Sequence, residues 1–156
     1  MTRPAGMPIG LRLATTSKAV GRAFDDALIA VGGTLPTWLV LIALKTRPTA
    51  NQRQLADSVG IQGATLTHHL NGMERAGLLT RRRDPDNRRM HVVSLTAEGE
   101  AAFHRMRAAA VAFDQRLRRG LDAADVAQLD SLLQRLHANV SAVANLQAAG
   151  VDGGSP

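Results

Sequence analysis

Apolar positions along the chain recur mostly at spacings of three and four, which predicts a largely helical fold. Leu13, Val20, Phe24, Ala27 and Val31 form one stripe and predict a helix over 11–31. Gly32 and Gly33 stop it, glycine being the residue that most readily takes positive φ. Thr34 is placed to cap the next helix, with Pro36 in its first turn. That helix carries Trp38, Leu39, Leu41, Ile42 and Leu44, is apolar nearly all round, and is expected at the centre of the core. Arg47 and Pro48 end it.

The next stretch is denser in signals. Asn51 followed by Gln54 has the form of a capping box, opening a short helix with Leu55, Ala56 and Val59 inward. Gly60 breaks this helix and Ile61 plugs the turn. A second helix over about 63–76 buries Leu66, Leu70 and Met73, and Gly77 ends it. Two such helices joined by a short glycine-containing turn form the helix-turn-helix pattern. A strand then begins at Leu78, Asp84–Asn87 are turn formers, and Met90–Leu95 read as a returning strand. The resulting hairpin carries Arg88 and Arg89 at its tip.

Thr96 caps a further helix, with Glu98 and Glu100 at its positive end. Phe103, Met106, Ala110, Phe113 and Leu117 make one long seam. After Gly120 and the cap Asp122, a second seam runs through Val126, Leu129, Leu133, Leu136, Val140 and Val143. A small winged core cannot cover all this apolar surface, so a homodimer is predicted. The chain divides into an arm and helix over 1–33, a winged helix-turn-helix over 34–96, a helical hairpin over 97–148 and a disordered tail over 149–156. The fold class is mostly α with a small β-wing.

Charge changes the picture locally. The formal net charge is +6, and only Lys18 and Lys45 among the basic residues are lysine. Arg75, Arg81, Arg82, Arg83, Arg88 and Arg89 crowd one short segment against Glu74, Asp84 and Asp86, a density that attracts a polyanion. With the apolar face of the 63–76 helix inward, its outer face presents Ala64, Thr65, Thr67, His68, Asn71 and Arg75, with Gln62 just before it. These side chains suit phosphates and base edges of double-stranded DNA, asparagine in particular suiting adenine. Arg88 and Arg89 suit the minor groove beside it.

Other chemistries are excluded or weak. There is no cysteine, so disulfides and thiolate sites are out. No nucleophile elbow, P-loop, dinucleotide fingerprint or H-E-x-x-H occurs, so no catalytic residue, and no cofactor, is expected. His68 and His69 diverge on a helix, and Glu100 with His104 makes only a pair, so no metal site is expected. The N-terminus lacks the apolar stretch of a signal peptide, and the longest apolar run, Trp38–Leu44, is far short of the ~20 residues of a membrane span, so a cytoplasmic protein without a membrane partner is expected.

The stretch over 77–99, GLLTRRRDPDNRRMHVVSLTAEG, resembles the MarR family of bacterial regulators, and the order of elements over roughly 10–146 is similar as well. Asp84-Pro85 matches the family's D-P-x-D-R-R wing tip, and Leu95-Thr96-Ala97-Glu98-Gly99 its L-T-x-x-G. Leu35-Pro36-Thr37-Trp38 resembles its second helix. Asn87 stands where the family usually has aspartate, and His68 where arginine is common. The resemblance implies long terminal helices intertwined in a dimer, a pseudo-palindromic operator, repression, and in many members release by a small aromatic or anionic effector. It favours Thr65, Thr67 and His68 on the helix and Arg89 as the key wing arginine. It also implies an effector cleft between winged core and dimer region, which Arg12, Thr16, Arg22, Trp38, His104 and Arg107 would line. Two other readings stay open: a ligand-independent architectural DNA-binding protein, and a winged helix used for protein contact.

Overall fold

Helix ends organise this chain, and the computed structural model shows how; it describes residues 6–48, 50–87 and 91–151, with side chains as far as 142. Helix α1 spans Ile9–Ile29 and stops before Gly32 at φ 80°. Helix α2, Leu35–Thr46, starts where the Thr34 hydroxyl accepts the Thr37 amide at 3.4 Å, with proline in its first turn. Strand β1 is only Ala50–Asn51. Helix α3, Gln52–Val59, has the predicted capping box in full: Asn51 Oδ1 accepts the Gln54 amide at 2.9 Å, and Gln54 Oε1 accepts the Asn51 amide at 3.0 Å. Gly60, at φ 68°, turns the chain into α4, Gly63–Arg75.

Strands β2, Leu79–Arg83, and β3, His91–Leu95, form the hairpin, with Arg81 opposite Val93 and Arg83 opposite His91. Strand β1 adds to the far edge of β3, so the sheet order is β1-β3-β2, all antiparallel. Helices α5, Ala97–Leu117, and α6, Ala123–Val151, complete the chain. Asp122 and Asp125 cap the start of α6 reciprocally, each side chain accepting the other's amide. Helix α6 continues to Val151, past the predicted start of the tail at 149, because no helix breaker precedes Gly150 in the 143–149 stretch. Residues 152–156 lie outside the described residues.

The chain divides into two units, Met1–Phe113 and Asp114–Pro156, the boundary falling within α5. The core belongs to the first. Trp38, Val40, Leu41 and Leu44 of the central helix α2 meet Leu55 of α3, Leu66, Leu70 and Met73 of α4, Leu79 and Val93 of the sheet, and Ala102 and Met106 of α5. Each such leucine contributes about 1.5–3 kcal/mol by leaving water. In α1 the fully buried residue is Leu28, between the stripe positions expected from the sequence; Val20 and Phe24 are half-buried and Leu13 is exposed. Phe24 packs on Phe113, ring centroids 5.1 Å apart.

The Leu95–Gly99 segment locks the start of α5 onto the end of α4. The Thr96 hydroxyl donates to the Gly77 carbonyl and accepts the Gly99 amide at 3.0 Å, while the Thr96 amide donates to the Leu78 carbonyl at 3.1 Å. Gly99 itself sits so close to Leu78 that a Cβ there would lie 1.9 Å from its carbonyl oxygen.

Candidate nucleic-acid interface

Helices α3 and α4 with the Gly60–Gln62 turn make the helix-turn-helix, and α4 is held by one face. Leu66 and Leu70 are completely buried and Met73 nearly so. This leaves Gln62, Ala64, Thr65, His68, Asn71 and Arg75 exposed along the opposite side. Thr67, expected with them, is half-buried and already bonded: its hydroxyl donates to the Gly63 carbonyl at 2.9 Å and accepts from the Gln52 side-chain amide at 2.5 Å. Gln52, the first residue of α3, was not a sequence candidate; its part becomes visible only when α3 and α4 are packed together.

A second network ties α4 to the wing. Arg81 of β2 donates through Nε and Nη2 to Glu74 Oε2, the first at 3.0 Å, and through its backbone amide to Glu74 Oε1 at 3.2 Å. Its Nη2 also donates to Asn71 Oδ1 at 2.6 Å. Arg75 Nε donates to the Asn71 carbonyl at 3.3 Å. The Arg81 guanidinium holds the Glu74 carboxyl below the usual glutamate range, through the side-chain bond above all, with partial burial opposing. Arg81 is thus a clamp between helix and wing. Arg82 and Arg83 are exposed on the outgoing strand. Beyond them the Asp84 side chain accepts the Asp86 amide at 2.8 Å, shaping the turn. Arg88 and Arg89, the expected minor-groove pair, lie outside the described residues.

The six residues expected around an effector are distributed differently. Arg12, Thr16 and Arg22 are exposed on α1, and His104 and Arg107 are exposed on α5. Trp38 is a core residue at 9% exposure, stacked on Phe103 with ring centroids 5.6 Å apart. One cavity of about 250 Å³ opens between the start of α2 and α4, bordered by Thr34, Thr37, His68, His69 and Arg75. Another, of about 190 Å³, lies between α2 and α3 beside Ile42 and Val59. None of the six lines either. Glu100 pairs with Lys45 at 2.9 Å, and His104 lies against the Phe103 ring. Among the described residues no three His, Cys, Asp or Glu side chains gather as metal ligands. No helix among them is long and apolar enough to cross a membrane.

Comparison with known proteins agrees with this geometry. The family profile of MarR matches residues 34–91, from the cap of α2 to the first residue of β3. The organic hydroperoxide resistance transcriptional regulator of Bacillus subtilis (strain 168) is 29% identical over 87 residues, 56% of this chain; the match spans only 59% of that regulator's length. Among solved structures, the transcriptional repressor CouR bound to a 23-mer DNA duplex is 28% identical, with a TM-score of 0.75 over 83% of this chain and 92% of that one. The PcaV regulator of Streptomyces coelicolor in complex with its natural ligand is 24% identical, with a TM-score of 0.71 over 85% of this chain and 96% of that one, a likeness of fold alone.

Proposed function

We propose that this chain, which belongs to the MarR family, is a sequence-specific DNA-binding regulator of transcription that binds a pseudo-palindromic operator as a homodimer. The observation that carries the reading is the polar outer face of α4, flanked by an arginine-bearing wing and fastened to it through Glu74, Arg81 and Asn71. Helix α4 enters the major groove. Gln62, Ala64, Thr65, Thr67, His68, Asn71 and Arg75 face the bases and phosphates, and Arg88 and Arg89 reach the adjacent minor groove. CouR was solved on a DNA duplex with a chain of similar fold and length, which supports this assignment.

Dimerisation explains the apolar surface each unit leaves open. Ile9 and Leu11 of α1 are more than half exposed, and Leu129, Leu132, Leu133 and Val140 of α6 are 40–71% exposed. A second copy covers both sets, and the intertwined arrangement of terminal helices follows from it. The protein acts in the cytoplasm, where its DNA is, as a repressor released by a small aromatic or anionic effector. The exposed cations Arg12, Arg22 and Arg107 suit such an anion, whereas Trp38 serves the core. Its relatives are regulators of transcription, and the chain is not an enzyme.

Footprinting on the DNA beside its own gene tests the reading. One protected inverted repeat, with half-site centres about 34–36 Å apart, is expected. Uniform coating would identify an architectural protein instead, and no protection at any salt concentration would leave only a protein-contact role.

A further inference from the structure

We propose that Gln52 and Arg81 set the base preference of α4 by fixing the hydrogen-bond polarity of Thr67 and Asn71; this rests on the DNA-binding reading above. A hydroxyl has one proton and two acceptor positions. The Gly63 carbonyl can only accept, so the Thr67 proton is spent on it at 2.9 Å. Gln52 must then present its amide nitrogen, and it fills one acceptor position of Thr67. What remains on Thr67 is a single acceptor. It can receive a bond from the amino group of adenine or cytosine and can give none to guanine.

Asn71 is fixed in the opposite sense. Arginine only donates, so the atom facing Arg81 Nη2 at 2.6 Å is the amide oxygen, and the NH2 group is left for the DNA. The guanidinium cannot swing away easily, because Glu74 holds it through Nε and Nη2 and holds the strand through the Arg81 amide. An asparagine that reads adenine needs its oxygen for N6 and its nitrogen for N7. Here Arg81 already holds one of the oxygen's two acceptor positions, so an adenine N6 would have to share that oxygen with a guanidinium donor. The base best matched to an amide that leads with its NH2 group is guanine, whose N7 and O6 both accept. On this inference Asn71 favours guanine, where the residue type alone suits adenine.

The roles are those of positioning residues, since Gln52 and Arg81 act through Thr67 and Asn71. Selection from randomised half-sites by the full-length protein, followed by sequencing of bound DNA, tests them. The position whose preference disappears in Asn71→Ala is the one Asn71 reads. In the wild type it should be guanine, by roughly tenfold over adenine. Asn71→Asp, which turns acceptors outward, should move it to cytosine or adenine. Arg81→Met lets the amide rotate and should move it toward adenine, and Arg81→Lys should restore guanine. The position whose preference disappears in Thr67→Val should be adenine or cytosine in the wild type, and Gln52→Leu should relax it. Arg81→Met is checked for folding by Trp38 fluorescence; if it does not fold, Asn71→Asp carries the same question. Adenine under Asn71 in the wild type, a folded Arg81→Met with unchanged preference, or no position sensitive to Asn71→Ala would each overturn the inference while DNA binding stands. A wild type that binds without any sequence preference would overturn the parent reading itself.

Discussion

Replacing Gly99 by alanine adds one methyl group at the tightest joint in the fold. The new Cβ would lie 1.9 Å from the Leu78 carbonyl oxygen and 3.2 Å from Leu95 Cδ2, so the joint must open by about 1.5 Å to reach ordinary van der Waals separation. Both sides of the closest approach are backbone, so no flexible side chain can step aside. The same Leu78 carbonyl accepts the Thr96 amide at 3.1 Å, so opening the joint also weakens the cap of α5. Overpacking costs about 1–3 kcal/mol and the strained hydrogen bond about 0.5–1.5 kcal/mol, while alanine's better helix propensity returns about 1 kcal/mol. The net expectation is a loss of about 2 kcal/mol, which lowers the urea midpoint by roughly 1 M. Two other glycines grade the argument. At Gly33 the nearest atom is the end of the Met106 side chain, at 2.2 Å, which can rotate, so Gly33→Ala should cost less. At Gly72 nothing lies within 4 Å, and Gly72→Ala should stabilise by up to about 1 kcal/mol. Urea unfolding followed by the single tryptophan, Trp38, at one fixed protein concentration measures all three. A Gly99→Ala protein as stable as the wild type, or the three glycines in any other order, refutes the reasoning.

Three further outcomes are expected. The Glu74 pKa is depressed in the folded state, so its ion pair stabilises the protein above the ordinary value of 4.5 and is lost as pH falls through the depressed value; Glu74→Gln should be less stable near neutrality, and the difference should shrink in acid denaturation profiles. Leu129→Glu, on the exposed apolar face of α6, should shift the protein toward monomer in sedimentation velocity while helical content is retained. Arg89→Ala should weaken binding to all DNA sequences alike and make the plot of log affinity against log salt shallower by about 1 in each half-site, measured by fluorescence anisotropy.

What was legible in the sequence was mainly local. Asn51 with Gln54, Thr34 with Pro36, and Gly60 and Gly77 mark helix ends through bonds and backbone angles that involve only near neighbours, and they reappear in the structure. The buried face of α4 was equally readable, because Leu66, Leu70 and Met73 keep helical spacing. What escaped depends on partners distant in sequence. Strand β1 is two residues long, too short for any period, and exists because β3 pairs with it. Leu28 lies beside the stripe expected for α1, and its burial is decided by the core against which the end of the helix packs. The Gln52–Thr67 and Arg81–Asn71 bonds span 15 and 10 residues, and each changes what a residue proposed to read DNA can do. The clash at Gly99 likewise gives a physical reason for the final glycine of the Leu95–Gly99 motif, which sequence alone presented only as a resemblance.

The central claim is that α4 and the wing form a DNA-reading surface displayed in two copies. The most direct measurement is a stoichiometric anisotropy titration on a duplex carrying the selected inverted repeat, repeated over a range of salt concentrations. Saturation at two chains per duplex is expected, with an affinity that falls steeply and log-linearly with salt. Saturation at one chain, or an affinity indifferent to salt, would contradict the claim.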